Sequence, residues 1–214
     1  RTGIIDFIRT GDSKNLFSAS AGLYMRYPKS VSDCLMNFLG THDTERILTV
    51  LGVGVPALSM EEKAHFSMSD SERKKALMLI RLAYIILAFM PGVPCIFYGD
   101  EAAVEGLSDP FNRVTFPWGR EDKALTEFYR EIGKLRRSRE ILKNGYLSVS
   151  EGLPYGVFEF SRFDGKGNCV TVIVNRSDEP YEHKERSENL VADLFGIDEK
   201  ATELPPMTAG VWER

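Results

Sequence analysis

An uncharged stretch at residues 82–99 constrains the fold of this chain more than any other part of its sequence. Its length of 18 residues matches a membrane-spanning helix, but two prolines and a glycine follow Met90, and charged side chains flank both ends. A buried helix that ends at a turn and leads into a buried strand explains the pattern better. The stretch therefore predicts a globular α/β core rather than a membrane span.

A helix and two strands are predicted around this stretch. Ser69 and Glu72 have the spacing of a capping box, which predicts a helix that begins there and ends near Met90. Residues 34–39 and 93–98 are short, mostly apolar runs, which are typical of strands covered on both faces. A strand, a helix and a second strand in this order predict a βα unit with a parallel sheet.

The segments on either side of this unit are less uniform. Residues 1–30 predict a partial helix and a loop. Residues 99–118 predict a long loop rich in glycine, aspartate and proline, and loops of this length are often functional. Residues 122–137 predict an amphipathic helix. The side chains on its apolar face are Leu125, Phe128, Tyr129, Ile132 and Leu135.

The pattern changes to short strands after about residue 140. Short alternating apolar runs lie on both sides of residues 164–168, which have the composition of a hairpin turn. Val211 and Trp212 predict a last strand, and the charged residues 184–188 predict a solvated loop. This part of the chain therefore predicts a small antiparallel β domain.

Composition narrows the classes of function. The net charge of −4 argues against nucleic acid as a partner, because phosphate binding usually requires a basic face. The three cysteines, Cys34, Cys95 and Cys169, are far apart and form no C-x-x-C pair, so they predict buried apolar side chains rather than a disulfide or a zinc site. No secretory signal is visible and the chain begins with Arg1, so its compartment stays open.

Two motifs resemble the α-amylase family of glycoside hydrolases. The motif NFLGTHDTER at residues 37–46 resembles the end of that family's seventh barrel strand, where a histidine–aspartate pair stands. The motif GVPCIFYGDEAAVEGLSDPFNRVTFPW at residues 92–118 resembles the eighth strand and the loop after it. Thr41 stands where many members have asparagine, and the wording GTHDTER is nearest to the neopullulanase and cyclomaltodextrinase branch.

The resemblance implies an α/β fold followed by an all-β domain. Residues 1–139 would be the C-terminal portion of a (β/α)8 TIM barrel with its last two strands, and residues 140–214 would be an antiparallel β-sandwich. The segment implies no metal or organic cofactor, although the family sometimes binds calcium. The implied partner is an α-glucan or maltooligosaccharide substrate, with no nucleic acid and no membrane.

Four residues are implied as parts of a sugar site. Asp43 would be the third carboxylate of the catalytic set, and His42 would hydrogen-bond the sugar beside it. Asp109 and Arg113 would bind a neighbouring glucose unit, because arginine offers a rigid fork of donors to hydroxyl groups. The residues alone leave another interpretation open, in which Asp43 or Thr44 caps the following helix and the D-x-x-x-R pair is structural.

Polar and aromatic neighbours of these residues are interpreted as structural. Asp100 and Glu101 are predicted to anchor the loop rather than to act as acids, since adjacent carboxylates at a strand end need not point the same way. For Trp118 and Tyr98, core packing is favoured over stacking on sugars.

Retaining hydrolysis needs a nucleophile and an acid, two carboxyl groups about 5–5.5 Å apart. By the family's order of motifs these would precede Arg1. The resemblance therefore implies a retaining α-glucan hydrolase whose isolated 214-residue segment is inactive, or a transglycosylase of the same family. A non-catalytic carbohydrate-binding module is the alternative from another class. We expect apolar surface at residues 83–90 to be exposed, so that the segment self-associates or needs the missing part of the barrel.

Overall fold

The computed structural model describes residues 1–183, 189–190, 195, 197 and 203–214. The predicted charged loop at residues 184–188 lies outside the described residues. Within the described part, no helix is long and apolar enough to cross a membrane.

Eight helices and a pair of short strands make up the first 144 residues. In chain order they are α1 (Thr2–Thr10), α2 (Lys14–Arg26), α3 (Lys29–Ser32), β1 (Met36–Phe38), α4 (Ile47–Gly52), α5 (Met60–Ala64), α6 (Asp70–Phe89), β2 (Val93–Cys95), α7 (Lys123–Ser138) and α8 (Glu140–Asn144).

Helix α6 is the centre of this part and confirms the predicted capping box. The Ser69 hydroxyl accepts from the Glu72 main-chain N–H, and the Glu72 carboxylate accepts from the Ser69 N–H. Every residue from Leu82 to Phe89 is at most 3% exposed, because α1, α4, α7 and the strands at residues 169–175 and 208–213 pack around the helix. The expectation of exposed apolar surface at residues 83–90 is therefore wrong.

Strands β1 and β2 pair in parallel, with Met36 opposite Val93 and Phe38 opposite Cys95. They are shorter than predicted, and they are not covered on both faces: Met36 is 61% and Val93 is 54% exposed. Gly92 permits the sharp turn into β2. Its φ is +100°, and a Cβ there would lie 2.4 Å from the Leu35 carbonyl oxygen.

The N-terminal segment is more helical than predicted. Residues 1–30 form α1 and α2 and the start of α3, where a partial helix and a loop were expected. The apolar residues of α1 form one buried stripe, made by Ile4, Ile5, Phe7 and Ile8. The helix ends at Gly11, which has a left-handed φ of +89° and donates its N–H to the Phe7 carbonyl. That stripe and its terminal glycine are the helix signals in this segment.

Helix α7 follows its predicted pattern. The Asp122 carboxylate caps it by accepting from the Leu125 N–H, 2.9 Å away. All five side chains of its predicted apolar face are buried. Residues 99–118 contain turns but no helix or strand, as predicted.

The β unit is formed by β3 (Tyr146–Val149), β4 (Val157–Phe163), β5 (Cys169–Asn175), β6 (Tyr181–Glu182), β7 (Asn189–Leu190), β8 (Glu203–Leu204) and β9 (Thr208–Glu213). Among the described residues, five strands form an antiparallel sheet in the order β3-β4-β5-β9-β7, and β6 pairs with β8. The predicted turn at residues 164–168 joins β4 to β5, and Asp164 accepts from the Lys166 and Asn168 N–H groups.

Both faces of this sheet carry apolar side chains. Phe158, Phe160 and Val172 face the helices and join their core. Val157, Ile173 and Trp212 face the other way and pack with Leu204 of β8. The alternation along β4 therefore places the sheet between the helices and the β6–β8 pair.

The cysteines differ from their prediction. All three are free thiols, but Cys34 is exposed, and Cys95 and Cys169 are only partly buried. Cys95 lies on the short β2 strand, which no other described element fully covers, and Cys169 begins β5 beside the hairpin turn.

Candidate functional site

The turn after β1 is shaped by residues 40–46. Gly40 passes so close to Asp100 that a Cβ would lie 2.5 Å from the Asp100 Oδ2 atom. The Thr44 Oγ1 accepts from the Thr41 N–H at 3.1 Å, and the Thr41 Oγ1 accepts from the Asp43 N–H at 3.3 Å. These local bonds fold the chain into a turn in which the side chains of His42 and Asp43 are 65% and 70% exposed.

Helix α4 begins later than predicted, and neither predicted cap is used. Its N-cap is Arg46, which makes no side-chain capping bond. Thr44 is engaged within the turn instead, and the Asp43 carboxylate points to other charged groups. The interpretation of Asp43 as a helix cap is therefore wrong.

The structure brings the four predicted site residues together. The His42 Nε2 atom is 3.1 Å from Asp43 Oδ2, and Arg113 Nη2 is 3.5 Å from Asp43 Oδ1. On its other side, Arg113 Nε is 2.5 Å from Asp109 Oδ1. Arg113 thus links a carboxylate in the turn after β1 with one in the loop that follows β2, and all four side chains are accessible to solvent.

Two buried side chains that the sequence interpretation did not single out lie beneath this cluster. The Asn112 side-chain amide donates to the carbonyl oxygens of His42 and Thr44, each at 2.8 Å. Arg46 donates from Nε to the Asn112 carbonyl at 2.7 Å and from Nη1 to the Tyr98 carbonyl at 2.5 Å. Both Asn112 and Arg46 are fully buried. The sequence signal for Arg46 is its place directly before the apolar pair Ile47 and Leu48 that begins α4.

Asp100 has an altered titration but no access to a ligand. Burial raises its pKa to about 7, and the nearby Arg46 guanidinium, 3.4 Å away, opposes that rise. A carboxyl group with such a pKa often marks a functional site. The side chain is only 4% exposed, however, so it acts inside the loop and not on a substrate.

Glu101 also anchors the loop, as predicted for this pair of acids. Its carboxylate accepts from the Gly99 N–H at 2.8 Å, and its carbonyl accepts from the Thr126 hydroxyl at 3.0 Å. The contacts of Asp100 with Arg46 and of Glu101 with Gly99 confirm the anchoring interpretation.

The aromatic side chains near the site are more exposed than predicted. Trp118 is 81% exposed, with its ring centroid 4.5 Å from that of Phe116. Tyr98 is 42% exposed and donates its hydroxyl to the Val114 carbonyl at 2.8 Å. The prediction of core packing is wrong for Trp118, because the loop carries it away from the helices.

The chemistry of this cluster suits binding of hydroxyl groups. Exposed carboxylates accept hydrogen bonds, and the Arg113 guanidinium donates them in a fixed fork. The described residues contain no group of three or more His, Cys, Asp or Glu side chains arranged to hold a metal ion.

Comparison with known proteins supplies the context of these residues. No protein-family model matches the chain. An amylopullulanase from Thermoanaerobacter thermohydrosulfuricus is 41% identical over 138 residues, which are 64% of this chain and 9% of that protein. A cyclomaltodextrinase from Thermoanaerobacter pseudethanolicus is 30% identical over 185 residues, 83% of this chain and 27% of that protein. This chain therefore spans less than a third of the length of either relative.

A solved structure shows the same fold. The type III pullulan hydrolase from Thermococcus kodakarensis superposes with a TM-score of 0.78 at 22% identity. The superposition covers 100% of this chain and 35% of that one. The helices, the parallel strand pair and the β unit therefore occur together in a larger protein.

Proposed function

Because this chain belongs to the α-amylase family of glycoside hydrolases, we propose that it supplies the sugar-binding part of the active site of a retaining α-glucan hydrolase. The observation that carries the proposal is the exposed Asp43 carboxylate, held between His42 and Arg113 at the end of β1. In barrels built from parallel strands, active sites lie at these carboxyl-terminal ends.

Asp43 is the third carboxylate in this proposal. It accepts hydrogen bonds from hydroxyl groups of the sugar whose bond is cleaved, and His42 donates to the same sugar. These bonds gain strength as the ring distorts toward an oxocarbenium-like transition state, so they accelerate the reaction rather than merely hold the substrate. Asp109 and Arg113 bind the adjacent glucose unit.

Neither Asp43 nor Asp109 serves as nucleophile or acid. Retention requires two carboxyl groups about 5–5.5 Å apart on opposite sides of the scissile bond, one of them protonated. Asp43 and Asp109 instead share the Arg113 guanidinium. We therefore propose that the nucleophile and the acid belong to other strands of the parent barrel, and that the 214-residue chain alone is inactive.

The fold supports an interpretation in two domains. Residues 1–139 would be the last part of a (β/α)8 barrel and residues 140–214 a β-sandwich. The parallel β1–β2 pair and its exposed residues Met36 and Val93 support the first, because closing the barrel would cover that face. In isolation the same face favours self-association.

A titration with maltotriose tests the proposed function. We expect the purified chain to hydrolyse neither maltotriose, cyclodextrin nor pullulan, and to bind maltotriose with millimolar affinity, seen as a shift of the His42 imidazole signal in NMR spectra. Asp43→Asn should abolish that shift. Asp178→Asn, at an exposed aspartate in the β unit, is the matched control and should leave it unchanged.

Two results would contradict the proposal. The first is turnover of any of these substrates that persists in the Asp43→Asn variant. The second is a His42 shift on adding maltotriose that is the same with and without the Asp43 carboxylate.

A further inference from the structure

Two dipeptides face each other across the site, and they make contact twice. On the outside, Arg113 lies 3.5 Å from the Asp43 carboxylate. On the inside, the Asn112 amide donates to the His42 carbonyl at 2.8 Å. His42–Asp43 and Asn112–Arg113 are therefore joined by one exposed and one buried link.

The exposed link is too weak to fix the geometry. The Arg113 and Asp43 side chains are 47% and 70% exposed, and ion pairs of this kind contribute little to stability. The buried link is different in kind. Asn112 is fully buried, and its single amide nitrogen serves two carbonyls, those of His42 and Thr44. These hydrogen bonds are costly to break, because the buried Asn112 amide left behind would find no water.

Arg46 holds Asn112 from the other side. Its Nε donates to the Asn112 carbonyl, and its main-chain N–H donates to the Gly106 carbonyl at 3.0 Å. The guanidinium also lies over the rings of Phe97 and Tyr98, with centroid distances of 4.4 and 4.7 Å. Arg46 thus connects three segments: the turn after β1, residues Phe97 and Tyr98 that follow β2, and the loop that carries Arg113.

We propose that Asn112 and Arg46 are positioning residues: they fix the turn that carries His42 and Asp43, and thereby set the spacing between Asp43 and Arg113. Neither touches the substrate. They act by fixing two main-chain segments, so that the Asp43 carboxylate and the Arg113 fork meet the same sugar chain together. The consequence for binding rests on the proposed function, whereas the spacing itself does not. A displacement of about 1 Å in such a site costs roughly a hundredfold in activity.

The β unit offers a matched residue for each of them. Asn175 is also fully buried, and its amide donates to the carbonyls of Glu179, Leu204 and Pro205. Arg162 is fully buried and donates to main-chain carbonyls far from the site. The variants Asn175→Ala and Arg162→Lys therefore remove equivalent bonds without touching the candidate site.

The first readout needs no ligand. His42 is one of three histidines, so its imidazole signal can be assigned, and its shift senses the Asp43 carboxylate 3.1 Å away. We would measure how much Asp43→Asn moves that signal in wild type, Asn112→Ala, Arg46→Lys, Asn175→Ala and Arg162→Lys, at a temperature where each is folded. The second readout is the maltotriose affinity of the same variants.

The expected result separates the two pairs. In Asn112→Ala and Arg46→Lys the effect of Asp43→Asn on His42 should fall by at least half, and maltotriose affinity should fall about tenfold, equivalent to about 1.4 kcal/mol. Asn175→Ala and Arg162→Lys should change only the unfolding midpoint. If Asn112→Ala does not fold, Arg46→Lys decides, because lysine keeps the charge but lacks the fork.

The proposal is overturned if folded Asn112→Ala or Arg46→Lys keeps the wild-type response of His42 to Asp43→Asn. It is also overturned if the β-unit controls lose that response to the same extent, since the effect would then reflect general loosening. If wild type binds no maltotriose, the proposed function fails, while the ligand-free readout still decides the positioning role.

Discussion

Arg46 under the candidate site and Arg162 at the base of the β unit occupy similar environments. Both are fully buried and both donate to main-chain carbonyls. Arg162 donates to the carbonyls of Phe89 and Leu142 through Nη1 and to that of Gly145 through Nη2. It therefore ties the end of α6 and the end of α8 to strand β4.

The two arginines differ in whether a carboxyl group lies beside the guanidinium. Arg46 also faces the Asp100 carboxyl group, whose pKa burial raises to about 7. Within the described residues Arg162 forms no ion pair, and burial lowers its pKa to about 10. The junction between the helices and the sheet thus depends on Arg162, whose charge stays constant at neutral pH. The site region, residues 39–46 and 97–118, contains Asp100, which titrates near neutral pH.

Two tryptophans allow the two regions to be followed separately. Trp118 lies in the site loop and is 81% exposed, and Trp212 lies in β9 and is 4% exposed. Each of the variants Trp118→Phe and Trp212→Phe keeps a single tryptophan, so its tryptophan emission reports one region only.

Replacing each of the two arginines should have the largest effect on stability and should distinguish the two regions most clearly. Arg162→Met leaves the buried carbonyls of Phe89 and Gly145 without their donor, whereas the Leu142 carbonyl keeps Arg136, and the variant should lower the free energy of unfolding by roughly 3 kcal/mol. Urea unfolding followed by either tryptophan should show the loss, because the junction connects helices and sheet. Arg46→Met should be seen mainly by Trp118. Equal losses at both tryptophans in Arg46→Met would show that the site region is not a separate unit.

Two glycines should give the next largest effect. A Cβ at Gly210 would lie 2.0 Å from the Trp212 ring, and one at Gly40 would lie 2.5 Å from Asp100 Oδ2. Gly210→Ala and Gly40→Ala should each destabilise by about 1–3 kcal/mol, the first with a change in Trp212 emission. Gly133→Ala, in α7 with open space around it, is the control and should stabilise by up to about 1 kcal/mol. If Gly133→Ala were also destabilising, the losses in Gly210→Ala and Gly40→Ala could not be assigned to steric overlap.

The pH dependence should separate the regions by a smaller amount. The folded state holds a proton on Asp100 up to a pKa of about 7, against an ordinary value of 3.8, so between these values it binds more protons than the unfolded state. Stability from this group is therefore present below about pH 4 and is lost as pH rises toward 7.

Wild type should accordingly lose roughly 1–2 kcal/mol relative to Asp100→Asn between pH 5 and pH 7. Arg162→Lys should show the wild-type slope, because Arg162 titrates well above this range. Urea unfolding at several pH values provides the measurement. Parallel curves for wild type and Asp100→Asn would contradict the raised pKa.

The smallest effect on stability is expected at Arg113, an exposed residue of the candidate site. Arg113→Ala breaks contacts to Asp43 and Asp109 that are largely exposed, so it should cost less than about 1 kcal/mol. Glu213→Gln, which breaks the partly buried pair with Arg139, should cost a similar amount. Only Arg113→Ala should abolish maltotriose binding. A large loss of stability in Arg113→Ala would mean that this ion pair is structural after all.

Much of the helical framework was predictable because its signals are local. The capping box at Ser69, the apolar face of α7 and the turn at Asp164 each depend on residues within a few positions of one another. The start of α4 was not predictable in this way. Threonine is a common helix N-cap, yet the Thr44 hydroxyl bonds to Thr41. This bond lies in a turn whose shape depends on the close approach of Gly40 to Asp100.

The sequence by itself determined the capping box of α6, the apolar face of α7 and the two motifs that carry His42, Asp43, Asp109 and Arg113, since motifs and periodicity are properties of neighbouring residues. Only the tertiary structure decided that these side chains meet and that Asn112 and Arg46 are buried beneath them. Arg46 and Asn112 are 66 positions apart. Burial of a polar side chain is stable only where partners from distant segments satisfy it, and no local pattern specifies those partners.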